Sequence, residues 1–447
     1  MSHAQQNPSI SPNQFSADQA KALDFLLSED WGSSVALLTG EAGTGKSTLL
    51  RAFVRRSQNT AVVAPSGLAA VNVGGSTIHS MFRFPWGPLA PNDKAIQEFA
   101  PGSPQRSLFE NLRVLVVDEV SMVRADLMDA IETSLRLNGP RPGTPFGGVR
   151  VLLVGDPLQL EPIVKDRAEE QFMAQEYGDP FFFQARCLRD GPMAVMKLTT
   201  VHRQSDHTFL DALNDTRRGL SAGLDLVNQR VGADVGPSIR LCTVNARVDE
   251  MNFAQLARLE PPLYRYEGLV SGDFPERELP TSFCLGLKIG ARVMHLANTG
   301  PGLYNGCLGR VGDMRRDAVC IETDEGALAW VGAYAWKRHA YYWDKRERRI
   351  DRKVVGIFQQ LPLKLAWALT IHKSQGLTFD RMSLDMGSGA FANGQTYVAL
   401  SRCRSLGGLS LARRIRPRDL MVNQNALNFY ESLPEFGHVE KDLAQTP

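Results

Sequence analysis

Eight residues, Gly40-Glu41-Ala42-Gly43-Thr44-Gly45-Lys46-Ser47, lie between the apolar run Val35-Ala36-Leu37-Leu38 and a stretch of helical periodicity from Ser47 to Val54. Glycines at this spacing let the backbone wrap an anion, with N–H groups pointing inward and the positive end of the following helix behind them. Lys46 is placed to neutralise β- and γ-phosphates, and the Ser47 hydroxyl to ligate Mg²⁺. Gly43, Thr44, Gly45 and Thr48 complete the expected cradle. A glycine-rich turn alone would be the bland alternative. The order of strand, loop and helix argues instead for a nucleoside triphosphate such as ATP.

Other residues have types suited to the same chemistry. The apolar run Leu112 to Val117 ends in Asp118-Glu119. After a phosphate loop, such a pair divides its work: Asp118 toward Mg²⁺, Glu119 toward the attacking water. The run Val149 to Val154 ends in Gly155-Asp156-Pro157-Leu158-Gln159, and Gln159 just past the strand tip is placed to sense a γ-phosphate. Arg203, after another strand, reads as an arginine finger or as a surface cation, and Arg402 on a later helix is a second candidate. Gln19, upstream of the phosphate loop, reads as an adenine ligand or as a surface glutamine.

A second group suits a polynucleotide. Pro65-Ser66-Gly67-Leu68-Ala69-Ala70 closes a strand with small residues before a helix, offering N–H groups and a hydroxyl to a phosphate. Thr77 and His79 follow, each able to touch a nucleic-acid backbone or to be structural. Phe84 and Trp86 lie in a proline-stiffened stretch without periodicity. They read either as an exposed wedge against a base pair or as rings packed onto the first domain. Residues 337–353 hold eight Lys/Arg against three Asp/Glu, with Tyr341, Tyr342 and Trp343 among them. That mixture suits phosphate attraction with base stacking, or a solvated hairpin.

The elements that must position these residues alternate between apolar strands and helices, the pattern of a doubly wound parallel α/β sheet with ligand at the strand C-termini. At 447 residues the chain exceeds one ordinary domain. A first domain is expected over 1–190, with an insertion at 82–111. A second α/β domain covers 191–262 and 356–433, a small β-barrel insertion 263–355, and a flexible tail 434–447. Residues 1–13 read as disordered. No apolar run has transmembrane length and no signal-peptide pattern opens the chain, so no membrane association is expected. Six scattered cysteines without a C-x-x-C pair suggest reduced thiols in a cytoplasm. Fifty basic against 48 acidic residues leave a net charge of +2, so any basic surface must be local.

Taken in order, GEAGTGKS, APSGLAAVNVGGSTIHS, VVDEVSM, PFGGVRVLLVGDPLQLEPI, HRQSD, LKIGARVM, LPLKLAWALTIHKSQGLTFD and YVALSRCRSLGGL resemble a superfamily-one helicase of the B subgroup. They are most similar to the PIF (petite integration frequency) family, with RecD and phage Dda as relatives. The GDPLQL loop reads more like RecD than the family's usual GDF-x-QL. The resemblance implies two RecA-like domains with ATP and Mg²⁺ in the cleft between them, a wedge insertion in the first and a β-barrel in the second. It puts Gln19 on adenine and surrounds the γ-phosphate with Gln159, Arg203, Gln375 and Arg402. It puts Ser66, Thr77, His79, Thr370, His372 and Ser374 on single-stranded DNA. The activity implied is ATP-dependent 5′→3′ translocation and duplex unwinding by a monomer at single-strand/duplex junctions, with G-quadruplex and RNA–DNA hybrid as further partners. The implied setting is a bacterial or phage-like nucleoid. A translocase that does not unwind, or an ATP-switched DNA-binding module, are the rival readings.

Overall fold

The computed structural model describes residues 15–439 apart from 92, 190, 205, 301 and 302, so the expected disorder of 1–13 lies outside the described residues. The apolar runs around the glycine-rich loop become β1 (Val35–Gly40), β2 (Thr60–Ala64), β3 (Ser76–Thr77), β4 (Val114–Val117), β5 (Arg150–Val154) and β6 (Met193–Leu198). They form one sheet in the order β6-β1-β5-β4-β2-β3, all neighbours parallel. All residues of β1 and β4 are buried, as strands covered by helices on both faces must be. One face packs against the helices Ala17–Leu27 and Lys46–Arg56, the other against Ala125–Asn138. Among the described residues no helix is long and apolar enough to cross a membrane.

Two expected boundaries are corrected. The strand Met193–Leu198 pairs along its whole length with β1, so the first sheet extends past residue 190. Part of the supposed flexible tail is also ordered: Phe436–Val439 adds an antiparallel seventh strand to the far edge of β6. The helix before it, Gln424–Ser432, carries Phe429 against Phe183 with ring centroids 4.2 Å apart. The chain therefore returns to the first domain after finishing the second.

The second parallel sheet is smaller, in the order Ala368–Thr370, Ile239–Cys242, Met382–Asp385, Leu409–Leu411. Between its strands the insertion runs from Tyr264–Glu267 to Leu363–Leu365, longer than the expected 263–355. It is not one closed ring but three antiparallel sheets of two, five and three strands. Two of them share a core of Tyr266, Leu285, Val293, Ile321 and Leu363. The third contains the long hairpin Tyr334–Asp344/Arg349–Gln360.

The aperiodic stretch 82–111 is held by single polar anchors. The buried Asp126 accepts from Leu89 N at 2.9 Å, and Asn138 brackets the chain by accepting from Phe99 N and donating to Gln97 O. Phe82, Phe84, Phe99 and Phe109 thereby enter the core of the first domain.

Candidate functional site

The phosphate loop leaves β1 through Gly40, Gly43 and Gly45, all at positive φ (148°, 91° and 80°). Glycine is required at 43 for a second reason: a Cβ there would stand 2.6 Å from the Cβ of Arg203. Lys46 opens the following helix, and its Nζ donates to the carbonyls of Gly40 (2.8 Å) and Glu41 (2.9 Å). Burial pulls the Lys46 ammonium down to about 8, with Asp156 and Glu119 opposing. Ser47 is exposed at the helix start, with Thr48 beside it, and Thr44 is buried with its hydroxyl on Glu41 O. Gln19, expected on a base, sits against the phosphate loop. Its Nε2 donates to Thr44 O at 2.9 Å and its Oε1 accepts from Ser16 N at 3.1 Å, so the amide links the start of the helix Ala17–Leu27 to the phosphate loop.

Asp118 and Glu119 stand at the end of β4, as expected. Burial first, and the neighbouring Glu119 second, push the Asp118 carboxyl well above the usual carboxylate range. An Asp118 carboxylate there calls for a cation, and together with the Ser47 hydroxyl it fits Mg²⁺. Glu119 has a left-handed backbone (φ 51°), an unfavourable state for a side-chain-bearing residue that tends to mark functional positions. From the second domain, Gln375 Nε2 donates to Glu119 Oε2 at 2.9 Å, across the cleft.

Arg203 and Arg402 lie side by side at the same cleft. Arg203 Nη1 donates to Ser401 O at 3.1 Å, and Arg402 Nε to Val398 O at 2.8 Å. Neither forms an ion pair with a carboxylate among the described residues. Burial, with Arg203 adjacent, lowers Arg402 to about 9. Arg402 Nη2 also donates to Ser401 Oγ at 2.7 Å, and two neighbouring guanidiniums, one buried and one half-buried, with no carboxylate partner form a seat for an anion. Gln159 abuts the second domain: its backbone meets Gly394, whose φ is 72°, and Asn393 Nδ2 donates to Glu161 Oε2 at 2.8 Å. Sequence reasoning missed three contacts here: Tyr397 Oη accepting from Ala42 N at 2.9 Å, Asn214 beside Glu41, and Arg217 on Asp156. No local pattern flags these residues, since each pairs with a partner far along the chain.

The candidate DNA residues divide into two groups. His79, in the short helix Ile78–Phe82, and His372, opening the helical turn His372–Ser374, are half-buried in the first and second domains, and Ser66 and Gly67 begin the helix Gly67–Asn72 after β2. Thr77, Thr370 and Ser374 are buried and spend their hydroxyls locally: Thr77 caps Ser80 N, Thr370 accepts from Lys373 N, and Ser374 donates to Ile371 O. These three hydroxyls shape their turns, and those of Thr77 and Thr370, which accept in these bonds, keep an O–H to donate. Phe84 is corrected too: it is 5% exposed and stacked on Phe82. Trp86 remains 52% exposed, with its ring parallel to that of His79 at 4.1 Å. Nor is the basic stretch 337–353 a free hairpin. Tyr341 Oη accepts from Val62 N at 2.9 Å, Asn59 Oδ1 accepts from Ile350 N, and Arg352 donates to Gly74 O. Arg338 joins Glu278 (3.0 Å), Asp273 and Ser80 Oγ (2.8 Å), while Glu278 covers Gly67.

A phosphate loop and acid pair facing a glutamine and two arginines across two parallel sheets define a P-loop nucleoside triphosphatase with paired RecA-like domains. Residues 14–219 match the PIF1-like helicase family model. ATP-dependent DNA helicase Pif1 of Bdellovibrio bacteriovorus is 33% identical over 435 residues, covering 94% of this chain and 92% of that protein. The chain belongs to the PIF1-like helicase family. Human ATP-dependent DNA helicase PIF1 is 35% identical over 444 residues, which cover 95% of this chain but 65% of the human protein, so the chain spans about two thirds of that relative. Unliganded Pif1 from Bacteroides superposes with a TM-score of 0.84 at 33% identity, covering 96% of this chain and 99% of that one. The same protein bound to single-stranded DNA gives 0.67 at 34% identity, covering 93% and 96%.

Proposed function

We propose that this chain is an ATP-dependent DNA helicase that moves 5′→3′ along single-stranded DNA and separates duplex ahead of it. The observation that carries the proposal is the contact of Gln375 with Glu119. It ties the loop that leads from the second sheet's DNA-facing turn directly to the residue expected to activate water. Membership of the PIF1-like helicase family, and the Bacteroides Pif1 complex with ADP-AlF4, support the nucleotide part of the reading. The polarity rests on family resemblance.

The residues present would divide the work as follows. Lys46 leaves its carbonyl partners to neutralise the phosphates, and Arg203 from the linker and Arg402 from the opposite domain add charge, drawing the cleft shut. Glu119, released from Gln375, orients and deprotonates water. Mg²⁺, held by Ser47 and Asp118, would supply charge neutralisation between the phosphates. Once the γ-phosphate is lost, the arginines lose their anion and the cleft relaxes. His79 and His372, one on each domain, would grip the strand alternately. We extend the reading to a monomer acting at fork junctions, with residues up to 198 and the returning segment 424–439 as the first domain and the three-sheet insertion as a mobile accessory.

The test is ATP-dependent unwinding of forked duplexes carrying a 5′ tail, a 3′ tail or none. Unwinding only with the 5′ tail is expected. DNA-stimulated ATP hydrolysis without strand separation on any substrate would replace the helicase with a translocase, and unwinding from the 3′ tail would reverse the polarity.

A further inference from the structure

The strongest unexplained feature near the cleft is a buried ion pair between the domains. Arg217 ends the helix His207–Arg217 of the second domain, and Asp156 is the second residue of the loop after β5 of the first. Arg217 Nη2 donates to Asp156 Oδ1 at 2.6 Å and Nε to Oδ2 at 3.3 Å, with the side chains 2% and 0% exposed. The guanidinium lies 3.9 Å from the ring centroid of Tyr430 and 5.8 Å from that of Tyr397. Burial alone would raise the Asp156 carboxyl; Arg217 and Lys46 more than offset that and hold it below the usual range. A buried ion pair is a poor device for stability, because apolar residues of the same volume commonly serve as well or better. Its presence here calls for another reason.

Asp156 supplies one. Its carboxylate also accepts from Leu158 N at 3.1 Å and from Gln159 Nε2 at 3.4 Å, so the group that receives Arg217 orients the γ-phosphate candidate Gln159. One turn back on the same helix, the Asn214 amide nitrogen, in the orientation its neighbours require, donates to both carboxylate oxygens of Glu41 at 2.9 Å. One face of one second-domain helix therefore touches both phosphate-facing loops of the first. We propose that Arg217 is a positioning residue for ATP hydrolysis, acting through Asp156 to set Gln159, with Asn214 as its companion on the phosphate loop. The helix follows directly on the linker that contains Arg203, so movement of the second domain reaches Gln159 and the arginine together. This inference rests on the ATPase reading above.

The test is steady-state ATP hydrolysis by the full chain with a single-stranded oligothymidylate as activator. Arg217→Lys keeps the charge but loses the two-pronged contact. It is expected to lower kcat by roughly ten- to a hundredfold, as small misplacements near reacting groups do, with KM for ATP and the melting temperature little changed. Asn214→Ala should lower kcat several-fold in the same way. The distinguishing measurement is the double variant Arg217→Lys plus Gln159→Ala, expected to be no slower than Gln159→Ala alone, since Arg217 acts through Gln159. Full additivity of the two losses, or wild-type kcat in Arg217→Lys, would overturn the inference. Absence of DNA-stimulated hydrolysis in the unaltered protein would instead overturn the ATPase reading.

Discussion

Glu119 combines a strained backbone with a side chain already held by Gln375, so its rotamer is set before any substrate arrives. Glu119→Gln keeps the size and the backbone but removes the base. Turnover should fall by roughly 10² or more while KM for ATP stays within a small factor. Parallel loss of both in steady-state kinetics would make Glu119 structural. The two aromatics of the 82–111 stretch separate just as cleanly. Phe84 is stacked in the core, so Phe84→Ala should cost about 3–5 kcal/mol by chemical denaturation. Trp86 presents half its ring to solvent on top of His79, so Trp86→Ala should melt like wild type yet lose duplex unwinding while DNA-stimulated ATPase persists. A Trp86→Ala protein that unwinds normally would remove the wedge from this loop.

At the scale of elements, the C-terminal strand is the piece whose role is easiest to isolate. Phe436–Val439 covers the edge of β6, Glu435 O accepts from Lys197 N at 2.8 Å, and the Phe436 ring meets Phe25 and Lys21 of the opening helix. Deleting residues 434–447 should lower the melting temperature by about 2–4 °C for each kcal/mol lost, on the size scaling for a domain of this size, and promote association through the bared edge. ATP turnover below the new melting temperature should survive; an unchanged melting curve would mean the strand adds nothing. This strand was not legible in the sequence because FGHV is short, contains glycine and lacks the alternation of a half-buried strand. The phosphate loop and the Asp118-Glu119 pair were legible because their chemistry depends on local spacing. The contact of Gln19 with Thr44 O was not legible because an amide suits a backbone carbonyl as well as a base. The aromatics at 82–99 showed no periodicity because Asp126 and Asn138, both distant in sequence, hold that chain in place. Arg217 and Asp156 were out of reach for the same reason, separated by 61 positions and belonging to different domains.

Across the whole molecule, the hairpin Tyr334–Asp344/Arg349–Gln360 reaches from the insertion of the second domain to the edge of the first sheet. The short β3 pairs only with Val63 and Ala64, leaving the earlier half of β2 unpaired on that side, and the Tyr341 hydroxyl satisfies Val62 N there. Nearby, the acidic Glu278 lies over Gly67, where a DNA phosphate is expected, with Arg338 bridging it to Ser80. In this arrangement the chain matches unliganded Bacteroides Pif1 better than the single-strand-bound form of that protein, 0.84 against 0.67. If the docked hairpin competes with DNA for the first domain, weakening it should raise the DNA-competent fraction. Tyr341→Phe removes only the hydroxyl that bonds Val62 and keeps the ring; Glu278→Gln removes only the charge. Each should tighten binding of a fluorescein-labelled oligothymidylate by roughly three- to tenfold in anisotropy titrations without nucleotide, within the range of one buried hydrogen bond or charge contact. Measured at two salt concentrations, Glu278→Gln should show the steeper salt dependence, because a phosphate then meets Arg338 without a competing carboxylate. Unchanged or weaker binding by both variants would mean that the hairpin stays docked on the first domain when DNA is bound.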